Sequence, residues 1–185
     1  MRLTGVILFI ATFVRAEMSN VAHFLSLYTD KGGLAHLAVA RRALGYALRT
    51  HAMGLNYRRT TNFNAVGAFQ PQDGDGTQGR LHSVGDSDFG EIRSKSGLVV
   101  MLAGAAVLWR VVVQRTPAIS PSEAEFYQLS TTVAETLHVR QLLEEFGMRF
   151  SAATQVFCDA RAARLLAAHG ASTSRTRHIH RRWHF

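Results

Sequence analysis

An α/β fold, a mixed sheet flanked by helices and preceded by an α-helical segment, is predicted by three features of this 185-residue sequence. Three valine-rich or alternating segments follow one another between residues 82 and 113. A sharply capped helix begins at residue 120. A short apolar segment at 154–158 then leads at once into an alanine- and leucine-rich helix. Strands leading through a crossover helix to a further strand imply a mixed sheet with helices packed on it.

The first 58 residues read as helical. Leu34, Leu37, Val39, Ala40, Ala43, Leu44 and Leu48 form a broad apolar stripe near helical spacing. Gly32-Gly33 separates this helix from the one before it, and Gly54 is its predicted end. Residues 59–80 change character. Thr60, Asn62, Asn64, Gly67, Pro71, Asp73, Gly74, Asp75 and Gly76 cannot build a core, so the segment reads as a linker. The organisation predicted is therefore a helical unit at 1–58, a linker at 59–80 and an α/β domain at 81–185.

Within that domain the predicted strands are His82–Asp88, Gly97–Ala103 and Ala106–Val113, with Gly104-Ala105 as the tight turn between the last two. Ser120 is the expected N-cap of the long helix, Pro121 its first residue and Glu123 the reciprocal capping partner. Phe126, Leu129, Val133, Leu137 and Leu143 mark its expected buried face, and Gly147 its stop. Thr154–Cys158 is the fourth strand and residues 160–169 the last helix.

The formal net charge of +8 favours polyanionic partners, nucleic acid or an acidic membrane surface. A single cysteine, Cys158, rules out an internal disulfide and a cysteine-rich zinc site, and suits a reducing compartment. Leu3–Val14 is mostly apolar behind Arg2, as in a signal peptide, but Arg15-Ala16-Glu17 makes a poor cleavage site. A buried first helix fits better. The apolar stretch 97–109 is shorter than the roughly 20 residues that span a bilayer. The expected location is intracellular, cytoplasmic or nuclear, with no membrane partner.

Three acidic residues stand where chemistry is possible. Asp86 lies late in the first strand, Glu125 in the first turns of the long helix and Asp159 at the end of the fourth strand. Carboxylates at such positions can converge at one edge of a sheet. Clustered carboxylates bind hard divalent cations, and two ions about 4 Å apart can activate water for phosphodiester cleavage. Taken singly, an acid in a first helical turn is explained by the helix dipole, and an Asp after a strand by capping. Cys158 reads as a buried structural thiol, and Trp109, Phe126, Tyr127 and Phe157 as core. His178, His180 and His184 have no acidic or cysteine partner nearby. Arg181 and Arg182 among them would repel a cation, so this segment reads as a basic surface near a phosphate backbone.

Taken in order, five motifs resemble the ribonuclease H region of copia-type retrotransposon polyproteins. They are Asp86-Ser87-Asp88-Phe89-Gly90, Arg93-Ser94-Lys95-Ser96-Gly97, Ser122-Glu123-Ala124-Glu125-Phe126, Phe157-Cys158-Asp159 and Arg175-Thr176-Arg177-His178-Ile179. Ala106-Val107-Leu108-Trp109 is similar to that region's third strand. Upstream, Leu3-Thr4-Gly5, Ala11-Thr12, Leu27, His36, Arg41-Arg42, Tyr46, Thr50 and Gly54-Leu55 resemble helices that follow the reverse transcriptase core of the same polyproteins. The resemblance implies a ribonuclease H-like fold. It implies two magnesium ions held by Asp86, Glu125 and Asp159 against an RNA–DNA hybrid, with Asp88 and Glu123 as neighbours. Arg175, Arg177, Arg181 and Arg182 are then expected on the nucleic-acid side.

The sequence departs from that pattern in several places. Arg15-Ala16-Glu17 stands for an Arg-Pro-Asp, His180 for an Asp and Val111-Val112-Val113 for a lysine-bearing segment. The chain ends at Phe185, ahead of the last strand and the helix with the fourth carboxylate. The activity expected of this chain is therefore weak or lost. Two other readings compete: a basic nucleic-acid-binding protein without catalysis, and a secreted or membrane-associated protein led by residues 1–16.

Overall fold

The computed structural model describes residues 2–57, 81–90, 93–150 and 153–169. The predicted linker at 59–80 and the basic segment carrying Arg175, Arg177, Arg181 and Arg182 lie outside the described residues, as do His178, His180 and His184. Three helices come first: α1 (Arg2–Phe13), α2 (Ser19–Ser26) and α3 (Leu34–Arg49), with a short 3-10 turn at Ala16–Met18. Then follow β1 (His82–Asp88), β2 (Lys95–Leu102), β3 (Ala105–Val113), α4 (Pro121–Glu145), β4 (Gln155–Phe157) and α5 (Arg161–His169).

The four strands form one mixed sheet in the order β3-β2-β1-β4. The first three pair antiparallel, and β4 runs parallel to β1. The α/β prediction thus holds as a four-stranded mixed sheet with flanking helices. The turn between β2 and β3 falls on Ala103-Gly104, one residue before its predicted place. Both residues have positive φ, 53° and 84°, the backbone of a two-residue hairpin whose twist matches its strands. The displacement has a local cause. Val100 pairs with Leu108 but Met101 with Ala106, so Val107 is an extra residue bulged out of β3.

The long helix begins as its sequence dictates. Ser120 Oγ accepts from the Glu123 amide at 3.2 Å, and the Glu123 carboxylate returns to the Ile119 amide at 2.5 Å. Gly147, at φ +87°, ends it. The Gly147 amide bonds the Glu144 carbonyl and the Met148 amide the Leu143 carbonyl, a Schellman closure.

Its buried face includes four of the five predicted residues, with Val133 and Leu143 half-buried against the apolar clusters, and departs from the prediction at Leu137. Phe126 and Leu129 are buried, but Leu137 is 56% exposed. The stripe lying on the sheet is polar: Gln128, Thr132 and Thr136 are almost wholly buried. Gln128 Nε2 donates to the Gly97 carbonyl at 2.9 Å and to Thr132 Oγ1 at 2.8 Å. The Thr136 and Ser83 hydroxyls meet at 2.7 Å. Gln114, after β3, donates to Ser96 Oγ at 2.8 Å and to the Ala124 carbonyl at 2.9 Å. Apolar clusters flank this spine. Leu81, Leu98, Val100 and Val139 pack at one end. Phe126, Tyr127, Leu129, Cys158 and Ala163 pack at the other, beneath α5.

The helices α1, α2 and α3 close on their own core of Ile7, Ala11, Met18, Ala22, Leu25, Ala40 and Ala43. Small residues carry the α3 contact. The larger ends of the predicted stripe, Leu34 and Leu48, are exposed, and α3 stops at Arg49, before Gly54. Arg15 is buried among these elements. Its guanidinium donates to Glu17 at 2.5 Å, to the Thr50 carbonyl at 3.0 Å and to Thr50 Oγ1 at 2.7 Å, and lies over the Tyr46 ring. Trp109 Nε1 donates to the Ala11 carbonyl at 2.6 Å and so ties β3 to α1. Among the described residues no helix is long and apolar enough to cross a membrane.

Gly85 is where α4 comes closest to the sheet. A Cβ built there would overlap Thr132 Oγ1 and stand 2.9 Å from Gln128 Nε2. Gly85→Ala is expected to cost about 1–3 kcal/mol, as overpacking does. Thr132→Ala in the same chain should restore part of the loss. Urea unfolding of the three variants measures both effects.

Candidate metal centre

The parallel pairing of β1 and β4 sets the site. Val84 lies opposite Phe157, the last residue of β4, and Asp86 and Asp159 each follow two residues further along their segments. One residue back, Gly85 and Cys158 share the face covered by α4. These are the C-terminal ends of neighbouring parallel strands, where α/β proteins commonly bind ligands.

Glu125 reaches this place from the second turn of α4. The ligand atoms of Glu125, Cys158 and Asp159 lie within 4.8 Å of one another. Asp86 is not in that group, but its charge acts on Glu125. Desolvation is the largest cause holding the Glu125 carboxyl above its ordinary range, followed by the Asp86 charge, with Asp159 adding to it. Ser87 opposes this by favouring the charged form. Yet neither Glu125 Oε2 nor Ser87 Oγ, both shielded from solvent, has a partner at hydrogen-bond geometry. Burial likewise pushes the Cys158 thiol up, and the Glu125 and Asp159 charges add to the effect.

Of the three predicted residues, Glu125 and Asp159 come together with Cys158, and Asp86 lies outside that group. Two other acids have structural work instead. Glu123 is 2% exposed, and its carboxylate accepts from the Ile119 amide and the Tyr127 hydroxyl. Asp88 Oδ1 accepts from the Lys95 amide at 2.8 Å and closes the β1–β2 connection. Sequence reasoning missed Cys158 as a member of the group. The signal was its position directly before Asp159 at a strand end. What hid it is that a buried thiol in a strand looks the same whether or not a helix delivers a carboxylate to it.

Mutual repulsion, a desolvated carboxylate and an unsatisfied oxygen are what a bound cation would relieve. The donor set therefore fits a divalent metal ion.

No family model matches the chain. A stretch of 98 residues, 53% of the chain, is 29% identical to the "Retrovirus-related Pol polyprotein from transposon TNT 1-94" of Nicotiana tabacum, and it covers 7% of that polyprotein. A stretch of 133 residues, 72% of the chain, is 28% identical to the "Secreted RxLR effector protein 161" of Plasmopara viticola and covers 85% of it. The chain is thus weakly similar both to a retrotransposon polyprotein, of which it spans a small fraction, and to a secreted effector.

Because Glu125 holds its proton more tightly in the fold than in the unfolded chain, folding takes up a proton as pH rises past the ordinary value of 4.5. Its contribution favours the fold in acid and opposes it once the pH passes the raised value. Glu125→Gln is therefore expected to raise Tm at pH 8. The gain should shrink to nothing below a pH of about 4, measured by thermal melts across the pH range without divalent metal.

Proposed function

We propose that this chain is part of a retrotransposon polyprotein, comprising helices that follow a reverse transcriptase core and a ribonuclease H-like domain whose carboxylates act on an RNA–DNA hybrid. The observation that carries this reading is the approach of Glu125 on α4 to Asp159 at the end of β4, with the Asp86 charge acting on Glu125. The strand order β3-β2-β1-β4, with β4 the parallel neighbour of β1, supports it. So does the similarity to the tobacco polyprotein.

In this reading Glu125, Asp159 and Asp86 hold divalent cations, magnesium by the resemblance. Such ions supply charge neutralisation at a phosphodiester and activation of a water. The chain's own residues do the rest. Ser87 and Cys158 shape the floor beneath Glu125, and α4 holds its carboxylate away from bulk water. Arg175, Arg177, Arg181 and Arg182 provide positive charge for the phosphate backbone.

A secreted role is the second reading, favoured by the extent of the match to the effector. Against it stands the position of α1, whose Ile7 and Ala11 are fully enclosed by α2 and α3. Removal of residues 1–16 is expected to unfold the helical unit, seen as lost helical circular dichroism. A truncated chain that keeps its full melting transition would support a cleavable leader instead.

The proposed function is tested by binding a labelled RNA–DNA hybrid with and without magnesium. Magnesium should tighten binding at least about fivefold, Asp159→Asn should abolish that gain, and raising salt should weaken binding steeply. Binding that ignores magnesium and Asp159 would leave only a basic surface without a metal-dependent site.

A further inference from the structure

The residue that distinguishes this cluster from a set of carboxylates is Cys158. It is nine-tenths buried between α4 and α5, yet its sulfur stands with the Glu125 and Asp159 oxygens in one group no more than 4.8 Å across. Glu125 Oε2 is shielded from solvent. A sulfur donor and two carboxylates thus come together from α4 and from the end of β4.

Ligand chemistry decides which cation suits such a point. Magnesium and calcium take oxygen donors and gain little from sulfur. Zinc and its soft or borderline neighbours take thiolate together with carboxylate. Around a tetrahedral zinc ion, sulfur at about 2.3 Å and oxygen at about 2.1 Å stand roughly 3.5 Å apart. For a group up to 4.8 Å across to reach that size its side chains must draw together, and Asp159 is exposed.

We propose that Cys158 Sγ, with the Glu125 and Asp159 carboxylates, forms a mixed thiolate–carboxylate site for a thiophilic divalent cation of the zinc, cobalt and cadmium class. Binding replaces the S–H bond of Cys158 by a sulfur–metal bond and releases the proton to solvent, with no change of oxidation state. The site deepens the proposed function, since it shares Glu125 and Asp159 with the carboxylates of that reading. A thiophilic ion seated there would compete with the magnesium of that reading.

The test is a titration of the purified full chain with cobalt(II), under a reductant that carries no thiol. The sequence has one cysteine, so any thiolate-to-cobalt charge-transfer absorption reports Cys158. We expect a band that saturates at one equivalent, disappears in Cys158→Ser, and needs at least tenfold more cobalt in Glu125→Gln and in Asp159→Asn. Equimolar zinc should remove it, and a tenfold excess of magnesium should not. No band in the wild-type chain, or a band of unchanged affinity in both carboxylate variants, overturns the proposal. Circular dichroism of each variant separates lost metal from lost fold, and the wild-type titration stands without them. Magnesium-dependent hybrid binding on the same preparation is read separately. Binding without a band overturns the thiophilic site alone, and a band without binding overturns the hybrid reading alone.

Discussion

The contact between α4 and the sheet is the constraint on which the rest of the molecule depends. A helix usually lies on a sheet through apolar side chains, which hold the two roughly 10 Å apart. Here the facing surfaces are Gln128, Thr132 and Thr136 on the helix and Ser83 and Gly85 on the strands, with the Gly97 carbonyl accepting from Gln128. Small side chains let the layers approach, and hydroxyl and amide groups satisfy one another across the gap. Buried polar groups are costly unless paired, so such an interface tolerates few other registers. Sliding α4 by one residue would unpair Gln128 from the Gly97 carbonyl and drive a larger side chain onto Gly85.

That fixed register delivers Glu125 to its place. The carboxylate sits three residues before Gln128 on the same helix, so whatever anchors Gln128 also anchors Glu125. The parallel β1–β4 pairing supplies Asp86 and Asp159 independently. Glu125 and Asp159 thus meet where the helix register and the strand register come together. The folded chain keeps Glu125 in an environment that disfavours its charge. This local cost is of the kind found where a site is arranged for a ligand rather than for stability. Glu123, two residues earlier, shows the contrast: its carboxylate is satisfied by an amide and a hydroxyl and serves the helix start.

The N-terminal helices obey a similar rule at a different scale. Four alanines pack with Ile7, Met18 and Leu25 to make their core, and the small surfaces among them benefit from an additional fastening. Arg15 provides it, joining the 3-10 turn, the end of α3 and the Tyr46 ring through one guanidinium. Its partner Glu17 is one of the positions at which the sequence departs from the copia-type pattern. The pair still forms, because Glu reaches the guanidinium from within the same turn.

The sequence by itself determined where the elements lie. Strand β1, the Ser120–Pro121–Glu123 helix start and the Gly147 stop follow from local chemistry: alternation, capping and the freedom of glycine at positive φ. It also determined which acids were available, and their order along the chain allowed Asp86, Glu125 and Asp159 to be singled out. Only the tertiary structure decided which face of α4 is buried. Hydrophobic periodicity pointed to a stripe through Leu137, whereas pairing of polar groups across the sheet turned that residue outward. Only the tertiary structure brought Cys158 into the carboxylate group, because that depends on a strand register and a helix register meeting. Neither register is written in the residues around residue 158. The α/β fold was legible because it rests on local signals, and the site was legible only in its acids because its remaining member is defined by distance in space.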